Sequence, residues 1–298
     1  MTFKQITLSD KKEIEACLRG NDYRICDFCF ANLWAWRNKF NTHFSIIHET
    51  LFLRFEDEHA CLFYLMPVGK MPLRKALDCI RKDTEEQGSS LRLKGITEKM
   101  WDEIQKVMPE AFSYQRDRNN DEYLYRSEKL RLLNGKKLQS KRNHINRFKA
   151  EHPDWYYAPI QTTEDCNECL SLLEDWEREH SPDGQIFLSR HDFVAAKNML
   201  ENFDELNLKG GLIRANGKLV AFTLGEPITS DTFCVHVEKA ADINGAYAII
   251  NQQFIEHEAA EFTYINREED MGLENLRKAK LSYYPDMMLQ EGCLTIKS

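Results

Sequence analysis

The chain is 298 residues long, 42% hydrophobic and 30% charged, a globular mixture whose length suits two domains. Its net charge of −8 argues against a protein that coats nucleic acid, and no DNA partner is expected. The start carries no secretory apolar run, and no later run approaches the roughly 20 residues that span a bilayer, so a cytoplasmic protein without a transmembrane segment is expected.

In chain order, Phe3 to Thr7 reads as a strand, and helical stretches follow from Ser9 and from Asp27. HFSIIHE, LFLRFED and ACLFYLMPV supply three consecutive strands. The helix RKALDCIRKDTEEQG, the strand LRLKGI, the helix EKMWDEIQKVM and the strands FSYQRD and DEYLYR complete the first half. Between Arg126 and Lys149 lie nine basic residues against one acid, Glu128. This segment reads as a basic helix with Leu138, Ile145 and Phe148 on its apolar face.

The second half repeats the pattern. Trp155 to Ile160 is a strand, followed by the amphipathic helix EDCNECLSLLEDWERE and a second helix over about Asp192 to Asn202, capped by Ser189 or Asp192. Asn216–Gly217 sits between two β-rich runs and predicts a hairpin, because both residues tolerate the positive φ of a type I′ turn. TFCVHVEKA then alternates, with Cys234, His236 and Glu238 on one face and Phe233, Val235 and Val237 on the other. The helix AYAIINQQFIEH, the strand EFTYIN, the helix LENLRKAKLSYY and two short strands in the tail follow. Both halves thus read β-α-α-β-β-β-α-β-α-β-β, and a repeated order constrains the fold more than either half alone.

Nine cysteines in an unexported chain point to reduced thiols. Cys26/Cys29 and Cys166/Cys169 have C-x-x-C spacing, but at i, i+3 in apolar helical patterns they pack as small hydrophobes. No metal site is expected from them.

The strings DEYLY, NGKKLQSKRNHINRF, AFTLGE, VHVEKA and YINREEDMGLENLRKAKLSYYP resemble a bacterial family related to the C-terminal domain of phosphatidylglycerol lysyltransferases. The resemblance implies an α/β fold of two tandem GNAT-like (acyl-CoA N-acyltransferase) domains with mixed sheets. The domains are expected at residues 1–127 and 153–298, with a basic linker helix over 128–152. It also implies transfer of an acyl or aminoacyl group, with aminoacyl-tRNA or acyl-CoA as co-substrate and no tightly bound cofactor. Many acetyltransferases hold the coenzyme A pyrophosphate on a glycine-rich loop at a helix N-terminus. The corresponding EKAADINGAY keeps Gly245 and Ala246 but places Asp242 where it would repel a phosphate, which ranks acetyl-CoA below an unspecified acyl or aminoacyl donor.

Acyl transfer to an amine or hydroxyl needs a base and donors for the oxyanion. Glu238, at a strand end with His236 on the same face, suits the base, although a surface pair with Lys239 would read the same way. Asn266, Arg267, Glu268, Glu269 and Asp270 fall where the next strand exits. Asn266, Glu268 and Asp270 are therefore candidate catalytic groups, and Arg267 a fork for a carboxylate or phosphate. Adjacent acids also favour a helix N-terminus with no further role. Arg277 and Lys280 extend this anion site, and Tyr283 is a candidate general acid. The basic helix offers Lys141, Arg142 and Asn143 as substrate contacts, to the phosphates of a tRNA or an anionic membrane surface, or it is simply a solvated face. A non-catalytic binding module on the same scaffold is the other reading.

Overall fold

The computed structural model describes residues 1–57, 59–180 and 186–297, with side chains described except at 186–190. The first half runs β1 (Lys4–Gln5), α1 (Lys11–Leu18), α2 (Phe30–Trp36), β2 (His43–Ile47), β3 (Thr50–Glu56), β4 (Leu62–Tyr64), β5 (Val68–Gly69) and α3 (Leu73–Glu86). It continues through β6 (Arg92–Thr97), α4 (Glu98–Val107), β7 (Phe112–Arg116) and β8 (Glu122–Arg126). Two helices follow, α5 (Ser127–Leu132) and α6 (Gln139–Glu151). The second half runs β9 (Tyr156–Pro159), α7 (Thr163–His180), α8 (Ile186–Glu201), α9 (Phe203–Leu206), β10 (Lys209–Ala215), β11 (Lys218–Pro227) and β12 (Thr232–Ala240). It ends with α10 (Ala246–Glu258), β13 (Tyr264–Asn266), α11 (Glu274–Leu281), β14 (Met287–Leu289) and β15 (Glu291–Ile296).

Local chemistry explains most of these elements. In α3 the buried Ala76, Leu77, Ile80 and Thr84 fall at helical spacing. Asn216 and Gly217 take φ of 53° and 73° and join β10 to β11, with Ala215 opposite Lys218. That is the expected hairpin. By contrast, α8 begins at Ile186, before the expected cap; the Ser189 side chain lies outside the described residues. Cys26 and Cys29 do not share a helix. Cys26 lies in a short 3-10 turn and Cys29 precedes α2, where its thiol donates to the Cys26 carbonyl oxygen at 3.0 Å. Cys166 and Cys169 do share a buried face of α7, and burial pushes the Cys166 thiol up to about 11.

Two mixed sheets carry the α/β architecture. The first has the order β1-β2-β3-β4-β6-β15-β7, with β5 paired to β3. The second has the order β14-β8-β13-β12-β11-β10-β9. Each half therefore gives its last strand to the other half's sheet: β15 lies between β6 and β7, and β8 pairs with β13.

The compact units follow this exchange. One comprises residues 1–123, 269–277 and 288–298, the other 124–268 and 278–287. The boundaries expected from sequence, 1–127, 128–152 and 153–298, are corrected accordingly. Residues 128–152 are part of the second unit rather than a separate linker, and the tail beyond 288 returns to the first. The basic segment is also not one helix. Leu133 turns to φ 49° after α5, and Gly135 at φ 85° leads into α6.

In the second unit, α6 buries Ile145 and Phe148 against the start of α10. Gly245 precedes α10 at φ 89°, and a Cβ there would stand 2.4 Å from the His144 carbonyl oxygen. Positive φ in a residue bearing a Cβ costs roughly 1–3 kcal/mol before any clash is counted. Gly245→Ala is therefore expected to lower stability by at least about 2 kcal/mol in urea unfolding. A loss below about 0.5 kcal/mol would mean that α6 yields freely at this point.

Candidate functional site

In the second sheet β12 and β13 run parallel but pair only from Thr232–Tyr264 to Cys234–Asn266. Beyond Cys234 the longer strand continues without this neighbour, so the sheet splays there. On the other side of β12, Leu224 faces Val237 and Gly225 faces Val235, leaving His236 as the extra residue of a β-bulge. Bulges re-aim side chains and are frequent beside functional sites. Glu238 lies two residues further along the same face. Past β13 the chain delivers Arg267 and then Glu268, which takes φ 58°. The Asn266 side-chain oxygen accepts the Glu268 N–H at 2.7 Å and holds that turn.

Arg267 and Glu238 form an ion pair at 3.0 Å, with side chains only 12% and 11% exposed. Asn251 of α10 donates its side-chain N–H to the other Glu238 oxygen at 2.9 Å. The second terminal nitrogen of Arg267, Nη1, is buried and has no hydrogen-bond partner among the described residues. The guanidinium lies 5.0 Å from the centre of the Tyr283 ring and 5.9 Å from that of Tyr125. From α6, the Lys141 amine approaches the Tyr283 ring to 4.2 Å. Burial lowers the pKa of Lys141, the Arg267 charge lowers it further, and Glu238 partly offsets both. Two cationic groups, one carboxylate and two phenols therefore share a partly desolvated site.

The other predicted residues are placed elsewhere. Arg142 donates to the carbonyl oxygens of Leu133 and Gly135, closing the end of α5. Asn143 is exposed on α6. His236 is almost fully buried, with Nδ1 2.7 Å from Glu268 and Nε2 3.2 Å from Glu226, and these two residues belong to that separate cluster. Asn266 is fully buried and shapes the turn. Lys280 is buried on α11, where its backbone carbonyl accepts the Tyr125 hydroxyl at 2.7 Å. Lys239 pairs with Asp192 at 2.6 Å and covers the Trp176 ring, so the surface Glu238–Lys239 pair is not formed. Tyr283 is buried, which pushes its phenol pKa up.

Asp270 belongs to the first unit. Its buried carboxylate accepts from Arg277 through two nitrogens at 2.9 and 2.8 Å, and from the Tyr123 hydroxyl at 2.5 Å. Arg118 adds a contact at 3.3 Å and the Gly272 N–H one at 2.9 Å. Asp270 and Arg277 are thus partners in one hydrogen-bonded network. Burial works against the charge of Asp270, but the bonds from Arg277, Tyr123 and Gly272 outweigh it and lower the carboxyl pKa to about 2. A folded pKa below the unfolded one stabilises above about pH 4, and that contribution is lost as the pH falls towards 2. Asp270→Asn should cost about 2–3 kcal/mol at pH 7, with the gap to wild type closing near pH 2 in denaturant unfolding. A gap independent of pH would contradict the linkage.

At the N-terminus of α10, where a coenzyme A pyrophosphate would be held, α6 packs closely against Gly245. The Nδ1–H of His144 on α6 donates to Asn244 Oδ1 at 2.7 Å, and the His144 carbonyl oxygen lies against Gly245. The Ala246 N–H is used by the Ile243 carbonyl at 3.1 Å. A cavity of about 620 Å³ in the first unit, lined by Glu13, Asp22, Tyr23, Glu49, Met66 and Glu103 among others, contains none of the candidate residues.

Sequence reading missed Asn251 and Tyr125. Asn251 carried a signal, a polar residue inside the apolar run AYAIINQQFIEH, where its burial would demand a partner. Tyr125 carried none, because it reaches this unit only through the strand exchange.

The mixed sheet opens between β12 and β13, with buried charged residues at the opening. The chain belongs to the family of phosphatidylglycerol lysyltransferase C-terminal domains, which it matches over residues 21–291. It is similar to a conserved protein of unknown function from Bacteroides thetaiotaomicron, with 41% identity, a TM-score of 0.94 and full coverage of both chains. The L-PGS structure from Bacillus licheniformis shares the fold at 15% identity and a TM-score of 0.68, over 97% of this chain and 92% of that one. An uncharacterised protein of Mycoplasmoides gallisepticum is 25% identical over 174 residues, 56% of this chain. That match spans 54% of the relative, about half its length. No helix among the described residues is long and apolar enough to cross a membrane.

Proposed function

We propose that the chain transfers an acyl or aminoacyl group from a carrier to an amine or hydroxyl acceptor at the Glu238–Arg267–Lys141–Tyr283 site. The observation that carries this reading is the buried, unpartnered Nη1 of Arg267 beside the Lys141 amine. A desolvated guanidinium N–H without an acceptor is costly, and an anionic or developing oxyanion oxygen satisfies it. Aminoacyl-tRNA is favoured as donor over acyl-CoA because α6 packs closely against Gly245 at the start of α10. The exposed basic residues around α6, such as Lys136 and Lys137, suit phosphate contacts to a tRNA or to an anionic membrane surface.

In this scheme the acceptor lone pair forms the new bond to the carbonyl carbon, and the carbonyl electron pair moves to oxygen beside Arg267. The bond to the carrier then breaks, Glu238 takes the acceptor's proton, and Lys141 gives a proton to the departing atom. The lowered pKa of Lys141 eases that donation. The family and fold support a transferase, while the Glu238–Arg267 pair, which already occupies the carboxylate, favours the second reading of a binding module.

The experiment is thermal shift with an aminoacylated tRNA pool, acyl-CoAs and phosphatidylglycerol vesicles, followed by a transfer assay with whatever binds. Stabilisation by the tRNA pool with label moving to an acceptor is expected. Binding without transfer would support the binding module, and stabilisation by acyl-CoA alone would overturn the donor assignment.

A further inference from the structure

We propose that Cys234, His236 and Glu268 form a binding site for one divalent cation of the zinc class. The thiol of Cys234, a ring nitrogen of His236 and a carboxylate oxygen of Glu268 all lie within 4.8 Å of one another. The sulfur is 3.6 Å from His236 Nδ1 and 3.7 Å from Glu268 Oε1. Zinc bond lengths of about 2.3 Å to sulfur and 2.0–2.2 Å to nitrogen and oxygen, at tetrahedral angles, place ligand atoms roughly 3.3–3.6 Å apart. The sulfur–nitrogen separation meets that requirement, and the sulfur–oxygen separation has to close by about 0.1 Å. The 2.7 Å between Nδ1 and Oε1 is a hydrogen bond, which has to open by roughly half an ångström to admit an ion.

The surroundings fit a metal centre as well as the ligands do. Cys234 and His236 are two apart on β12 and therefore share a face, and the bulge at His236 gives its ring an aim the regular pleat would not. Glu268 is brought to them by its left-handed backbone, which the Asn266 side chain holds. The other ring nitrogen, Nε2, lies 3.2 Å from Glu226, which stands opposite Cys234 on β11. A metal-bound histidine characteristically donates its second N–H to such a carboxylate, which fixes the tautomer. Thiolate and imidazole together select zinc or its neighbours over magnesium and calcium, which take oxygen ligands.

Three ligands leave a fourth position, on the side of Glu268, whose side chain is 20% exposed while that of His236 is 1% exposed. An ion here ties β12 to the Asn266–Glu268 turn and so fixes Arg267, which sits within that turn. This site is unrelated to the two C-x-x-C pairs, and it does not depend on the transfer reaction.

The test is titration of the chelator-stripped full chain with Zn²⁺ against a chromogenic chelator, and with Co²⁺ by absorption. One equivalent and a near-ultraviolet thiolate-to-cobalt charge-transfer band are expected. Cys234→Ser should abolish the band, and Glu226→Gln should weaken affinity about 10–100-fold. Should Cys234→Ser fail to fold, Glu268→Gln serves in its place, being half in the loop and partly exposed; at least a tenfold loss of affinity is expected. No binding by the wild type, or binding that none of these variants alters, overturns the proposal and leaves the cluster as a hydrogen-bonded network.

Discussion

Replacing Arg267 with alanine is expected to lower the unfolding free energy by about 3–5 kcal/mol at neutral pH, because it strands a buried carboxylate. Glu238 is only 11% exposed, and Asn251 alone would then hold it. Removing both charges together, as Glu238→Gln with Arg267→Met, should recover most of the loss, since the penalty belongs to the unpaired ion rather than to the pair. Denaturant unfolding of the two single variants and the double variant closes this cycle. A single-variant loss below about 1 kcal/mol, with no recovery in the double, would mean that water reaches Glu238 freely. For the bound ligand, losing the fork should weaken affinity by about 1–3 kcal/mol, roughly 5- to 150-fold.

Glu238→Gln keeps the shape and the Asn251 contact but removes the proton acceptor, so transfer should slow about a hundredfold or more with binding largely intact. Lys141→Met removes the proposed proton donor and should slow turnover by a comparable factor. The pH profile separates the roles. Burial and Arg267 lower the pKa of Lys141, so the wild-type rate should fall on the alkaline side before an ordinary lysine would titrate. In Lys141→Met that alkaline fall should be absent from the slower rate. An unchanged alkaline limb would remove Lys141 from the chemistry, and normal turnover in Glu238→Gln would remove the site. Substrate binding with no turnover in wild type or any variant would favour the binding module.

Much of this site was visible in the residues themselves. Glu238 at a strand end, Arg267 after the next strand and Lys141 in the basic segment were each predicted and do come together. Arg142 reaches the end of α5, and a guanidinium near substrate and one capping its neighbouring helix look alike in sequence. The run from Arg267 to Asp270 is a related case. Four ionisable residues in a row fan out in direction, so Arg267 serves the Glu238 pair, Glu268 turns to His236 and Asp270 is held by Arg277 and Arg118. Short-range spacing does not tell which way a loop side chain points.

The sequence by itself determined the element order, the Asn216–Gly217 hairpin, the buried faces of α3 and α7 and the two-residue alternation of β12. These depend on period, φ preference and apolar spacing, all of which are written within a few residues. Only the tertiary structure decided that β8 and β15 cross into each other's sheets. It alone ended β13 at Asn266 while β12 ran on, and it brought Tyr125, Lys141, Asn251 and Tyr283 to Arg267 and Glu238. A strand's pattern records that one face must be buried, but not which sheet will bury it. That choice is made by contacts distant in the chain, whose loop-closure cost and packing gain leave no local mark.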